Sequence, residues 1–493
     1  MQRAFPTFAM SSWARLFLFA FISALVGLIL PPDMFAPAFI TVFIVLLWMT
    51  ETLPLPVTGL LVPILAVLLG VLAPAEAFAP FGSEILFLFI GAFILTRAMQ
   101  KHQLDVRLAY WILAQPFASA SSIAIVLSMS TVAFLLSMWI PNTAAAALMV
   151  PIAIGVLSTL KKNPPEGDAG GVPLGVSLAP WLLLAIGFGA GVGGVATPVG
   201  SPPNLIALQN LSNAGITISF FQWISIGLPI ALVLFVVMHL ILRKSYGGTF
   251  VLLSGLAAKF RAQYNARGSV SNGERWTLIC FLAAVFFWTV PGMLGAIFPD
   301  SAFISSVQQR FSLGVVALAA SLPLFFLPEK PGVPTLAWDD AAKIDWGTVI
   351  LFGGGLALGA MMIQSGFAEY LALRVIGTGG VPLIVLGLIV AVLASLISAF
   401  GSNTASAAII VPILLSAAAQ IDTSSSLLLV FAATFGASFG FLLPVSTPPN
   451  AIVYSTGSVS RNQLLRSGAK LQAVGIVLVV LFIFVLYPLI GLL

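Results

Sequence analysis

Residues 398–414 read SAFGSNTASAAIIVPIL, and residues 137–153 read SMWIPNTAAAALMVPIA. A shift of 261 places Asn403 on Asn142, Thr404 on Thr143, Pro412 on Pro151 and Ile413 on Ile152. Further along, 200–207 reads GSPPNLIA and 446–453 reads STPPNAIV. Each half of the chain therefore carries an Asn-Thr motif and then a small-Pro-Pro-Asn motif. Two matched copies of two motifs, in a very apolar chain, point to a membrane carrier built from an internal repeat with one site shared between its halves.

Composition sets the solvent. The 493 residues are 60% hydrophobic and 7% charged, with a mean hydropathy of +1.12. Soluble domains carry roughly 25% charged residues, so the bilayer must take up this apolar surface. The single cysteine, Cys280, lies in an apolar run, which rules out a disulfide framework or a cysteine metal site. It reads as a small core hydrophobe. A net charge of +5 does not indicate nucleic acid. In a membrane chain, basic residues report orientation first.

Spans of about 20 apolar residues are expected near 13–30, 36–50, 54–73, 80–98, 219–241, 275–297, 310–327, 346–366 and 471–492. A short amphipathic stretch at 101–114 is expected at the interface. The segments 120–160 and 381–420 are apolar on both sides of an Asn-Thr tip, as re-entrant hairpins or paired spans. The segments 179–212 and 425–456 read as broken spans. The fold class expected is an all-α membrane protein with an inverted repeat, two hairpins, two broken helices and about 11 spans. Its parts are an N-terminal span (1–35), a first repeat (36–242), a cytoplasmic linker with a connecting span (243–309) and a second repeat (310–493). Arg3 and Arg15 flank the first apolar run, which reads as a retained span. With the N-terminus cytoplasmic and the C-terminus outside, 18 of the 20 Lys+Arg fall inside, all but Arg310 and Arg374. That bias is the one the positive-inside rule predicts. The interval Asn142 to Asn204 is 62 and that from Asn403 to Asn450 is 47; the difference matches the extra loop at 161–177.

A break in the backbone inside hydrocarbon is costly unless it lines a cavity or is buried in protein. Asn and Thr start helices, and a helix start offers free N–H donors and a partial positive charge to an anion. Pro-Pro after Ser201 and after Thr447 fits a first helical turn. None of the four breaks contains Lys, Arg or His. An anion there must be held by hydroxyls, amides and helix ends, and the freed carbonyls suit a hard monovalent cation. Two matched half-sites suit a ligand with two anionic ends. A catalytic reading finds no nucleophile and base facing a cavity, so an enzyme is not expected. Glu84 reads as a structural residue near the outer end of its span, His102 and His239 as non-catalytic residues near the cytoplasmic surface. The Gly run 353–355 reads as a close helix contact, since it lacks the Lys-Ser/Thr of a nucleotide loop.

Taken together, these motifs resemble the divalent anion:sodium symporters (DASS), the family that includes sodium-coupled dicarboxylate carriers. The resemblance covers nearly the whole chain. It implies a homodimer in the bacterial plasma membrane, with a mobile transport domain moving as an elevator against a scaffold, and a C4-type dicarboxylate substrate such as succinate, malate or fumarate. By similarity, Asn142, Thr143, Ser201, Ser402, Asn403, Thr404, Thr447 and Pro448 bind the carboxylates. One sodium (Na+) site would use Ser137, position 141, Asn142 and Gly200; the other Ser398, Gly401, Asn403 and Ser446. The family carries Ser-Asn-Thr at both tips. This chain keeps Ser402-Asn403-Thr404 but has Pro141 at the first, which removes a hydroxyl. Some relatives exchange one dicarboxylate for another, and others carry inorganic dianions such as sulfate.

Overall fold

The computed structural model describes residues 11–162, 174–247, 251–253, 255–375, 381–418 and 423–489. Most of the loop expected at 161–177 lies outside them. The described residues are almost all helical, apart from loops and a short antiparallel pair of strands, Pro328–Lys330 with Val333–Pro334. The first layer is α1 (Ser12–Ile29), α2 (Phe35–Thr50), α3 (Leu55–Leu68) and α4 (Glu84–Lys101), then a short α5 (Leu104–Leu113). The first hairpin is α6 (Ser122–Ser137) and α7 (Asn142–Lys162). The first broken helix is α8 (Ala179–Gly193) and α9 (Pro202–Asn213), followed by α10 (Phe220–Tyr246), α11 (Leu256–Asn265) and α12 (Asn272–Ile297). The plan then repeats with α13 (Leu313–Ser321), α14 (Trp346–Gln364), α15 (Phe367–Val375), the hairpin α16 (Leu383–Phe400) and α17 (Asn403–Ala418), the broken pair α18 (Thr423–Ser438) and α19 (Pro448–Ser455), and α20 (Arg461–Leu481). Among the described residues, nine helices are long and apolar enough to cross a membrane.

Local chemistry sets the helix ends. Ser219 with Gln222, Ser271 with Glu274 and Ser460 with Gln463 form reciprocal caps that satisfy free N–H groups at the starts of α10, α12 and α20. The span expected over 310–327 is shorter than the sequence suggests. Its α-helix stops at Ser321 and continues as a 3₁₀ turn, Leu322–Phe325, because Pro323 cannot extend the α-helical bonding.

The halves pack reciprocally. In the first layer, α3 lies along α14 while α4 lies along α13. Glycines make both crossings close. A Cβ on Gly91 of α4 would stand 2.6 Å from the Ala317 backbone, and one on Gly354 of α14 would stand 2.5 Å from Gly59 O. The run 353–355 is thus a helix contact, as its sequence suggests. Deeper in the molecule, α6 lies on α8 and α16 on α18. The two halves then interlock: α7 packs on α19 and α17 on α9, while α8 packs on α19 and α18 on α9. The centre is filled by large buried rings, among them Phe188, Phe431, Phe435, Phe439 and Phe441.

The expected amphipathic stretch is α5, but its polar face is not simply solvated. Arg107 is buried and clasps Glu274 at the start of α12, with Nε 2.5 Å from Oε1 and Nη2 3.2 Å from Oε2. Its remaining donors reach the carbonyls of Arg267, Gly268 and Ser269. Hydrogen bonding to Glu274 raises the Arg107 pKa and keeps it charged.

Candidate functional site

At the first tip α6 stops at Ser137 and α7 begins at Asn142, with Pro141 O accepting from the N–H groups of Ala144 and Ala145. At the second, α16 stops at Phe400, Gly401 turns the chain, and Ser402 O accepts from Ser406 N–H. Each tip presses its asparagine into the break of the broken helix in its own half.

In the first cluster, Ser137 Oγ donates to Ala190 O at 2.6 Å and stands 2.5 Å from one arm of the Asn142 amide. That arm also faces Ala190 O at 3.3 Å and Gly200 O at 3.2 Å. With oxygen inward, the arm can accept only from the Ser137 hydroxyl. With nitrogen inward, its two N–H groups have three acceptors within reach, Ser137 Oγ, Ala190 O and Gly200 O. Which arm is nitrogen follows from the bonding network. Gly194 permits the approach, since a Cβ there would lie 2.5 Å from this amide and 2.9 Å from Gly200 O.

The second cluster repeats the plan. Ser398 Oγ lies 2.6 Å from both Asn403 Oδ1 and Ala437 O. One hydroxyl proton serves one acceptor at a time, so these oxygens crowd one another. Asn403 Nδ2 points away toward Ser438 O at 3.5 Å. Gly440 stands where Gly194 does in the first half, and a Cβ there would lie 2.9 Å from Asn403 Oδ1.

The Pro-Pro-Asn motifs serve the breaks themselves. Asn204 Nδ2 donates to Gly194 O at 2.9 Å and Thr197 O at 2.8 Å; Asn450 Nδ2 donates to Gly440 O at 3.1 Å and Leu443 O at 3.2 Å. A shift of 246 carries the first asparagine and both its acceptors onto the second set. Each amide bridges two carbonyls where its helix is interrupted, one of which, Thr197 O or Leu443 O, also accepts a backbone N–H from Gly200 or Ser446. A hydroxyl then ties each break to its tip, from different positions. Thr197 Oγ1 donates to Met138 O, whereas Ser446 Oγ donates to Ala399 O at 2.6 Å. Thr197 carries no signal in the sequence, because its counterpart by position is Leu443.

The other expected residues divide by exposure. Thr143 and Pro448 are exposed, Ser402 and Thr447 half-buried, Ser201 and Thr404 buried. Among the described residues, the hydroxyls of Thr143, Ser201, Ser402, Thr404 and Thr447 form no hydrogen bond within the protein. The hydroxyls of Ser137, Ser398, Ser446 and Thr197 are all engaged. One set of hydroxyls holds the breaks together and another stands free at the four helix starts.

The family described as the sodium:sulfate symporter transmembrane region matches residues 10–493. The chain belongs to the sodium:sulfate symporter family. Its family relatives include the sodium-dependent dicarboxylate transporter SdcS of Staphylococcus saprophyticus, 33% identical over 91% of this chain and 85% of that protein. SdcS of Staphylococcus aureus (strain USA300) is 30% identical over 92% of this chain and 85% of that protein. An uncharacterized transporter of Methanocaldococcus jannaschii is 34% identical over 92% and 94%. Among solved structures, the Alcanivorax borkumensis YdaH transporter aligns with a TM-score of 0.53 at 15% identity, over 84% of this chain and 86% of that one, which is a likeness of fold alone. This sodium:sulfate symporter family member is an integral membrane transporter and not an enzyme.

Residues outside the clusters have structural partners. Glu84 Oε1 accepts from Gly314 N–H at 2.9 Å, capping the start of α13. His102 Nε2 lies 2.8 Å from Thr335 O. The His239 side chain is buried within the protein: its Nε2 lies 3.0 Å from Ser130 Oγ and its ring stands edge-on to Phe235. A helix of this length carries one face inward, and position alone does not tell which.

Proposed function

We propose that this chain is a secondary-active carrier coupling sodium to the movement of C4-type dicarboxylates such as succinate, malate or fumarate. The observation that carries the reading is the doubled cluster: Ser137–Asn142 and Ser398–Asn403, each crowding oxygen atoms against a helix break, beside hydroxyls with no partner among the described residues. Crowded neutral oxygens favour a hard cation. Free hydroxyls and helix starts favour carboxylates. The names of the two SdcS relatives agree with both halves of the reading.

In this scheme Asn142, Thr143, Ser201, Ser402, Asn403, Thr404, Thr447 and Pro448 meet the two carboxylates. Ser137, Asn142 and Gly200, and Ser398, Gly401, Asn403 and Ser446, surround the coupling ions. Weak, distributed contacts let the cargo leave as well as bind. Alternating access proceeds as an elevator: hairpins and broken helices move as one body against the layer of α1–α4, in a homodimer with the N-terminus cytoplasmic.

Uptake of radiolabelled succinate into proteoliposomes, with and without an inward sodium gradient, tests this. Gradient-driven uptake is expected, and no uptake in either condition rejects the substrate class. Pro141 motivates a second reading, sodium-independent exchange of one dicarboxylate for another. It fails if uptake needs no internal counter-substrate. Competition by sulfate distinguishes an inorganic dianion carrier.

A further inference from the structure

The exposed side of α12 carries an apolar groove. It is a cavity of about 270 Å³ between α12, α13 and the 3₁₀ turn after α13, and its lining is apolar apart from the Trp276 indole and the Cys280 thiol. Arg275, Ile279, Ala283 and Phe287 recur every fourth residue and so form one row along the helix. Ile279, Ala283 and Phe287 border the groove, and Arg275 stands one turn before them at its mouth. At the other end Phe287 stacks on Phe311, with ring centroids 4.9 Å apart and planes 6° from parallel. From Trp276 to Phe287, eleven residues along α12, the groove runs about 16 Å. That is about half of the roughly 30 Å hydrocarbon core of a bilayer, the depth of one leaflet.

The mouth is basic. The side chains of Arg275 and Lys330 are exposed, and neither makes a hydrogen bond or an ion pair among the described residues. Lys330 ends the first strand of the short hairpin, which packs on α12 and is tied to its start by Asn272 Nδ2, donating to Glu329 O at 3.4 Å. The neighbouring acids do not answer these cations. Glu274 is buried and taken by Arg107. Glu329 alternates with Lys330 along the strand and so points to its other face. The Trp276 indole N–H also finds no acceptor among the described residues. A slot one leaflet deep, opening beneath two uncompensated cations and a free indole N–H, fits an acyl chain attached to an anionic headgroup.

We propose that this groove binds one anionic phospholipid, of the phosphatidylglycerol kind, with an acyl chain along α12 and its phosphate between Arg275 and Lys330. The site lies apart from both helix-break clusters, and it stands whatever cargo the carrier moves. The α13 wall of the groove also lies along α4, so a bound lipid braces the packing of α12 and α13 on the first layer.

Native mass spectrometry of the detergent-purified protein, titrated with phosphatidylglycerol or with phosphatidylcholine of the same chains, tests this. One phosphatidylglycerol per chain should bind roughly 25-fold more tightly than phosphatidylcholine, about fivefold for each cation beside the headgroup. Arg275→Gln and Lys330→Gln should each lower that preference roughly fivefold, and the double variant should abolish it. Ala319→Phe fills the groove from an exposed position and should weaken both lipids while keeping the headgroup preference. Arg461→Gln, an exposed cation on α20, should change nothing. All four positions are exposed, and circular dichroism confirms that each variant is folded. Equal binding of the two lipids by wild type, or a loss in Arg461→Gln as large as in Arg275→Gln, would overturn the proposal. So would glycerol 3-phosphate binding as tightly as the intact lipid, since it has the phosphate without the chain. A dimer that dissociates in Ala319→Phe while lipid binding stays unchanged would give the groove to a second copy of this chain and overturn it too.

Discussion

Replacing Gly194 by alanine isolates the packing that holds the first cluster together. The added Cβ would stand 2.5 Å from the Asn142 amide, about 0.9 Å inside the 3.4 Å at which ordinary contact begins, and 2.9 Å from Gly200 O. Neither neighbour is the free end of a flexible chain. The asparagine is held by Ser137, and Gly200 belongs to the break. Overpacking of this kind costs ~1–3 kcal/mol, which a 493-residue chain tolerates while remaining folded. The functional cost is larger, because the amide must move by most of an ångström. Displacements of that size cost about 100-fold where geometry sets the rate. Initial succinate uptake in proteoliposomes should therefore fall by roughly 10–100-fold, with thermal unfolding lowered by only a few degrees. Gly440→Ala makes a graded comparison. Its Cβ would meet Asn403 Oδ1 at 2.9 Å and Ser398 Oγ at 3.1 Å, so its loss should be smaller. Gly155→Ala, exposed on α7 with nothing within 4 Å, is the control and should be neutral or slightly stabilising. Wild-type uptake by folded Gly194→Ala, or an equal loss in Gly155→Ala, would refute the reasoning.

Two further predictions concern stability. Asn450→Ala removes the amide that bridges Gly440 O and Leu443 O, leaving Leu443 O only the Ser446 N–H and Gly440 O without its amide donor, and should cost about 1–3 kcal/mol, measured as a lower melting temperature in detergent; Asn204→Ala should cost a similar amount, Thr197 O keeping only the Gly200 N–H. The Lys101–Asp340 pair, 3.0 Å apart and partly exposed, holds the Asp340 carboxyl below its ordinary range through the hydrogen bond from Lys101. Its contribution is therefore complete above the unfolded carboxylate pKa of about 3.9 and lost as pH falls through the lowered folded value. Asp340→Asn should cost at most ~1 kcal/mol at neutral pH, less in high salt, and nothing once wild-type Asp340 is protonated, as thermal melts across pH 2–7 would show.

Much of the architecture was legible because bilayer solvation and the repeat act on sequence directly. Apolar run length set the spans, and Asn-Thr and Pro-Pro marked the helix starts at Asn142, Asn403, Pro202 and Pro448. The asparagines after Pro-Pro carried a signal too, as a repeated motif, though not their task. Other features had none. Thr197 and Ser446 reach equivalent carbonyls from positions three residues apart in the repeat, so alignment hides the correspondence. Arg107 reads as the polar face of an interfacial helix, but its partner Glu274 lies 167 residues away.

The sequence by itself determined a doubled, all-helical membrane chain with two tips and two breaks, because hydrocarbon permits little else for such residues. Only the tertiary structure decided that α7 meets α19 while α17 meets α9, and which hydroxyls are consumed by carbonyls and which stand free. Those outcomes depend on directions in space. A hydroxyl's availability depends on the acceptors within about 3 Å of it, and segments far apart in the chain supply those acceptors.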